Sequence, residues 1–158
     1  MTASYLLETL KNKFPAGVLE THAFRGDETA VVRREDYAAV AAFLRDELGF
    51  DFLMDLTAAD YLPREPRFEL VCHFYSSRHN YRLRLKVPLP GENPAAASLT
   101  PLWAAADWFE REAWDMFGIK FEGHPDLRRL LMYDGFEGHP LRKDYPLTRR
   151  QPRIPHRD

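Results

Sequence analysis

The run from Tyr81 to Val87, YRLRLKV, alternates without a break, with Tyr81, Leu83, Leu85 and Val87 on one side of an extended chain and Arg82, Arg84 and Lys86 on the other. Successive side chains of a strand point to opposite faces, so one face of the sheet that holds this strand is core and the other meets water or a partner. A solvated face is the plain reading of the basic stripe. Two more strand-like runs precede it, DFLMDLTAADYL and RFELVCHFYS, and Ser76-Ser77-Arg78-His79 supplies a hairpin connection. Val18 to Phe24 and Thr29 to Arg33 form a further pair around the turn Arg25-Gly26-Asp27-Glu28.

Helices occupy the remaining regular stretches. Residues 3 to 14 make a short one that Pro15 and Gly17 stop. In REDYAAVAAFLRDELGF, Tyr37, Val40, Ala41, Leu44 and Leu48 recur at helical spacing, with Glu35 and Asp36 in the first turn and Gly49 at the end. The segment SLTPLWAAADWFEREAWDMFG reads as a third helix. Pro101 suits its first position, and Asp107 with Glu110 three residues later fits a capping box after a bend. Mostly antiparallel strands with segregated helices predict an α+β fold, a two-layer sandwich with helices on one face. That body covers residues 1–117, and an extended Pro-rich C-terminal arm covers 118–158.

At 158 residues the length is that of one domain with a proper core. No apolar run approaches the eighteen or so residues of a spanning helix, so the chain is expected not to cross a membrane. Its start, MTASYLLETLKNKF, lacks a cationic block before an apolar one, which argues for a cytoplasmic protein. A net charge of −2 gives no case for nucleic acid. The lone Cys72 cannot form an internal disulfide or a multi-thiolate centre, and it reads as a small buried hydrophobe.

The densest chemistry is the stretch from Glu110 to Gly118. Glu110 and Glu112 point to different helix faces, so they are no acid/base pair. Asp115 lies one turn from both Arg111 and Glu112, and an intrahelical pair of Asp115 with Arg111 is the plain explanation. Trp108, Phe109, Trp114, Met116 and Phe117 crowd these charges, as expected of a helix buried on one side and covered by another protein on the other. No GxGxxG, P-loop, GxSxG or HExxH is present to hold a nucleotide or activate a nucleophile.

The string Phe-Glu-Gly-His-Pro occurs twice, at Phe121 and at Phe136. Glycine before and proline after each histidine make turns, so His124 and His139 punctuate an extended arm and serve as hydrogen-bonding groups. A metal site could draw on His73, His124, His139 and Asp126, and an autonomous metal-dependent enzyme using His124 and His139 with Asp115 or Asp126 is the reading from another class. Each turn is followed by a basic pair, Arg128 with Arg129 and Arg142 with Lys143. Residues 123–158 hold eight basic side chains against five acidic, five of the twelve prolines, and interleaved Leu, Tyr and Phe, Tyr145 among them. Disordered tails are poor in such residues. An arm that lies on a partner fits better, its arginines gripping carboxylates.

The stretch EREAWDMFGIKFEGHPDLRRLL, Glu110 to Leu131, resembles the signature of the complex I 30 kDa subunit family, the C component of respiratory NADH–quinone oxidoreductase. Glu110, Arg111, Glu112, Asp115, Met116, Phe117, His124, Arg128, Leu130 and Leu131 fill every signature position, and the likeness continues through GFEGHPLRKDYPL. The resemblance implies a protein with no cofactor and no catalytic centre of its own, in a peripheral membrane complex whose other members hold FMN and iron–sulfur clusters and react with NADH and quinone. It implies docking on component D of that complex, which contributes to the quinone pocket, with components B and I nearby, on the cytoplasmic side of the cell inner membrane. The partner-binding residues expected on this basis are Glu110, Arg111, Glu112, Asp115, Phe117, His124, Arg128, Arg129, His139, Arg142, Lys143 and Tyr145. The same signature is similar to that of a component of membrane-bound hydrogenases and related dehydrogenases, which it does not separate.

Overall fold

The computed structural model describes residues 5–153. Helix α1 (Tyr5–Lys13) leads into a hairpin of β1 (Val18–Phe24) and β2 (Asp27–Val32), followed by helix α2 (Tyr37–Asp46). Strands β3 (Phe52–Asp60), β4 (Phe68–Ser76) and β5 (Tyr81–Leu89) then run as an antiparallel meander. A short β6 (Ala95–Ala97), helix α3 (Ala106–Phe117) and a short β7 (Lys120–Glu122) complete the regular structure. The five-stranded sheet has the order β1-β2-β5-β4-β3, antiparallel except where β2 lies parallel to β5. The architecture is the α+β arrangement that the sequence predicts.

The alternation in β5 sorts as expected from Leu83 onward, whereas Tyr81 at the start of the strand is exposed and not in the core. Leu83, Leu85, Val87 and Leu89 are buried, each contributing roughly 1.5–3 kcal/mol by leaving water. On the same side lie Phe68, Leu70, Cys72 and Phe74 of β4 and Leu53 and Leu56 of β3. Helix α2 closes this face with Tyr37, Val40, Ala41 and Leu44, all fully buried. The Tyr37 hydroxyl and the Cys72 thiol lie 3.2 Å apart in the core, and burial pushes the thiol up to about 12. Cys72 is therefore an inert core residue.

The other face of the sheet carries no helix-facing core but a lattice of polar cross-strand contacts. Arg84 donates to His73 at 3.0 Å and to Thr29 at 3.3 Å. Lys86 pairs with Glu69 at 2.8 Å, and Arg82 lies over the Tyr75 ring. The basic stripe is thus largely satisfied by neighbours on its own sheet.

Two sequence expectations fail around α3. The helix begins at Ala106, not near Pro101, because residues 99–103 form a tight turn in which Leu102 and Trp103 both donate to the Leu99 carbonyl. Asp107 is not the N-cap: Ala105 is, without a side-chain bond. Glu110 turns away to the preceding loop, where stronger partners await it. The parallel β6–β7 pair was also not expected. It ties Ala95–Ala97 to Lys120–Glu122, so regular structure runs five residues past the expected edge of the body at 117.

Candidate docking site around the third helix

Helix α3 packs against β3 and presents three buried charges: Glu110, Arg111 and Asp115. Each has a separate task. Glu110 accepts the Leu99 N–H at 2.6 Å and the Ser98 hydroxyl at 2.7 Å, which fixes the loop entering the helix. Burial pushes its carboxyl up to about 7 against the pull of these two bonds. Arg111 donates to the carbonyls of Arg128 and Arg129 at 3.3 and 3.1 Å and stacks 5.0 Å from the Trp108 ring.

Asp115 is the centre of the site. Its Oδ2 accepts three successive backbone N–H groups, from Leu130, Leu131 and Met132, at 2.8–3.0 Å, and its Oδ1 accepts Arg129 at 2.6 Å. Burial alone would raise its pKa, but the amides and the guanidinium outweigh burial and hold the carboxyl below the usual range. The expected pairing of Asp115 with Arg111 within the helix is absent. Arg129, from the arm, takes that place, and Arg111 is used on backbone oxygens. Arg129 continues to the carbonyls of Phe136 and Gly138 at 2.7 and 3.0 Å, and lies over the rings of Trp114 and Phe136. One guanidinium thus joins the helix to both halves of the arm.

The last four carbonyls of a helix have no partner within it. Here the second Gly-His-Pro turn supplies three of those partners. The Trp114 carbonyl accepts Gly118 N–H at 2.8 Å, Asp115 accepts His139 Nδ1 at 3.0 Å, Met116 accepts Leu141 N–H at 3.0 Å, and Phe117 accepts Arg142 at 3.4 Å. Gly118 has a φ of 77°, and a Cβ there would stand 2.7 Å from the His139 ring. The first turn serves the opposite end. His124 Nδ1 accepts the Asp126 N–H, which leaves the proton on Nε2 to donate to the Asp107 carbonyl at 3.2 Å.

The repeat therefore clamps the two ends of one helix, each histidine bonding a different helix carbonyl. Among the described residues no group of three His, Cys, Asp or Glu side chains is placed to hold a metal.

A second anchor lies at the end of β3. Arg67 forks onto both oxygens of Asp60 at 2.7 and 2.9 Å and reaches Asp144 at 2.8 Å. Asp60 also accepts the Lys143 N–H at 2.8 Å, and Arg142 pairs with Asp144 at 3.2 Å. The Phe68 ring sits against both Arg67 and Arg142. The Arg67 guanidinium holds Asp60 down at about 2 and Asp144 well below the carboxylate range. Asp60, Arg67 and Asp144 were not singled out in the sequence. The facing ends of two hairpin strands bearing opposite charges were the available signal.

Of the residues expected at a partner surface, Glu110 and Asp115 are 0% exposed and are consumed by internal bonds. Arg111, Phe117, Arg129, His139 and Arg142 join them around α3. Glu112, Arg128 and Lys143 point outward, and Arg128 pairs with its neighbour Asp126. Tyr145 stacks on Phe136 at 6.1 Å. Trp108, Leu131, Leu141 and Leu147 are the large apolar side chains that this region leaves exposed.

The family described as "Respiratory-chain NADH dehydrogenase, 30 Kd subunit" matches residues 30–151. A protein of Geotalea uraniireducens, named as the C subunit of NADH-quinone oxidoreductase, is 47% identical over 138 residues, which is 87% of this chain and 84% of the relative. One of the same name from a Roseiflexus species is 51% identical over 144 residues, 90% of this chain and 83% of the relative. A solved trypsin-resistant fragment (1-134) of Nqo5 aligns with a TM-score of 0.67 at 35% identity, covering 77% of this chain and 96% of the fragment. A chain of an archaeal membrane-bound sulfane sulfur reductase shares the fold, with a TM-score of 0.78 at 22% identity, over 90% of this chain and 85% of that one.

Proposed function

We propose that this chain, which belongs to the family of the 30 kDa subunit of respiratory-chain NADH dehydrogenase, is the docking subunit of a peripheral arm that carries electrons from NADH to quinone. As a member of that family it is one part of a multi-subunit respiratory complex that catalyses NADH:quinone oxidoreduction. Its own contribution is structural. No helix among the described residues is long and apolar enough to cross a membrane, so attachment to the membrane is through the complex.

The observation that carries the docking role is the clasp of Asp115 and Arg129. It fixes the arm in one shape on α3 and leaves Trp108, Leu131, Leu141 and Leu147 facing outward, the apolar and aromatic kind of side chain that anchors protein interfaces. Helix α3 then presents Glu112, and the arm Arg128 and Lys143, to component D of the complex on the cytoplasmic side, with components B and I nearby. FMN, iron–sulfur clusters, NADH and quinone are held by the other members of the complex, and electrons do not pass through this chain. Arg129 and Arg142 act within the chain, shaping the surface; Glu110 and Asp115 act from beneath it.

Limited trypsin digestion tests this reading. Arg149, Arg150 and Arg153 are exposed cleavage points past the Asp144 anchor, on a segment tied to the rest of the arm at its surface, by Arg149 on Glu137 at 2.7 Å and Gln151 on the Glu137 backbone. They are expected to be cut quickly in the isolated chain and slowly in the assembled complex. Equal rates in both would defeat the docking role. The set of catalytic subunits that copurifies with the chain identifies the electron donor, and hydrogenase subunits in place of NADH-oxidising ones would move it to a related complex.

A further inference from the structure

The two edges of the main sheet are treated differently. Strand β3 forms one edge, and α3 packs against it while Asp60 at its end gathers Arg67 and the Lys143 amide. Strand β1 forms the other edge, and among the described residues no strand pairs with its outer side. Beyond Val18 nearly all of β1 faces solvent, with Leu19 54% and Phe24 67% exposed. The sequence VLETHAF carries neither proline nor lysine, and its edge defences, the Glu20 charge and the irregularity between Val18 and Glu20, lie at its start and leave Thr21 to Phe24 in regular register. Alternate residues of β1 turn their N–H and C=O groups away from β2, a row whose spacing another extended polypeptide matches.

Clefts of opposite charge lie at the two ends of the β1–β2 hairpin, the one at the turn reaching across β2 to the start of β5. Leu19, Arg33, Arg34, Glu35, Pro88 and Pro90 line one of about 340 Å³ beside the start of β1. Asp27, Glu28, Tyr5 and Tyr81, with Arg82, line another of about 380 Å³ near the β1–β2 turn. We propose that β1 is a second docking edge, which takes an extended strand from another subunit of the complex. The strand carries an acidic side chain towards Arg33 and Arg34, a basic one towards Asp27 and Glu28, and apolar ones against Leu19 and Phe24. The proposal rests on the subunit reading above, and it places a contact on the sheet edge opposite the one that α3 covers.

Hydrogen exchange of the full-length chain, isolated and in the copurified complex, tests the proposal. The outward amides of Leu19 to Phe24 are expected to exchange at least roughly 100-fold more slowly in the complex. A double variant, Leu19→Lys with Phe24→Lys, alters only exposed side chains, so the isolated chain keeps its thermal midpoint. It is expected to lose the added protection and to be recovered with the complex in reduced yield. Unchanged β1 exchange together with slowed exchange across residues 127–145 would overturn the inference and leave the subunit reading standing. Protection that instead appears in the isolated chain and grows with its concentration, with a dimer by light scattering, would make the occupant a second copy and overturn the proposal. A chain that copurifies with no respiratory subunit would defeat the subunit reading itself, and the inference with it.

Discussion

Two acids on one helix behave in opposite ways, and the difference lies in how many donors each has. Asp115 faces three amides and a guanidinium, so it stays charged in spite of burial. Asp115→Asn keeps the shape but turns an amide N–H₂ towards groups that are all donors. Removing one member of a buried charged cluster costs about 3 kcal/mol or more, so the urea midpoint is expected to fall, and trypsin to cut faster after Arg128 and Arg129. Glu110 has two donors, and burial wins, raising its carboxyl from 4.5 to about 7. A raised acid binds its proton more tightly when folded, so its stabilisation is complete below about pH 4.5 and is lost as pH rises through 7. The loss is of the order of 3 kcal/mol. Glu110→Gln is neutral at every pH and keeps an oxygen for the Leu99 N–H. Its denaturation curves are expected to show no decline between about pH 5 and 7.5; an undiminished decline would assign the effect to another group.

For the elements, α3 and the arm are one unit, since the arm supplies the partners that the helix lacks at its C-terminal end. Gly118→Ala combines a positive φ of 77° with a Cβ 2.7 Å from the His139 ring. The left-handed backbone alone costs about 1 kcal/mol, and the clash is expected to displace the His139–Arg142 turn. A lowered thermal midpoint with raised exchange at Leu141 would register it, whereas Gly123→Ala, where nothing stands within 4 Å, is expected to show only the backbone cost. The sequence showed that the repeated Gly-His-Pro makes turns, because those residue types act locally. It could not show which carbonyls the turns would meet. The capping-box reading of Asp107 and Glu110 failed for the same reason: the competing donors, Ser98 and the Leu99 amide, reach Glu110 only after the preceding loop folds back. Three alanines at 95–97 have no local reason to form a strand, and β6 exists because β7 is there to pair with it.

The whole molecule is held closed at two places, and they differ in their response to acid. The Asp60–Arg67–Asp144 anchor depends on carboxylates held low by the guanidinium. For Asp60, whose ordinary value of 3.8 is lowered to about 2, the stabilisation is complete above about pH 4 and is lost as pH falls towards 2. It is worth about 2 kcal/mol. Amides at Lys143 and its neighbours are expected to lose protection over that window while the amides of β4 and β5 keep theirs; simultaneous loss would show that the anchor does not open separately. The meander of β3, β4 and β5 was legible because its residues alternate and its turns are short. The parallel contact of β2 with β5 was not, since nothing in either strand names a partner so far along the chain. That seam has a consequence for how the protein is made. Glu28 to Val31 are matched by Leu83 to Lys86, so the first hairpin and α2 emerge from the ribosome well before the strand that completes their sheet. Until translation has passed Leu89, the nascent chain carries an unpaired inner edge on β2 in addition to the outer edge on β1, and its exposure to misassembly ends only when the centre of the sheet arrives.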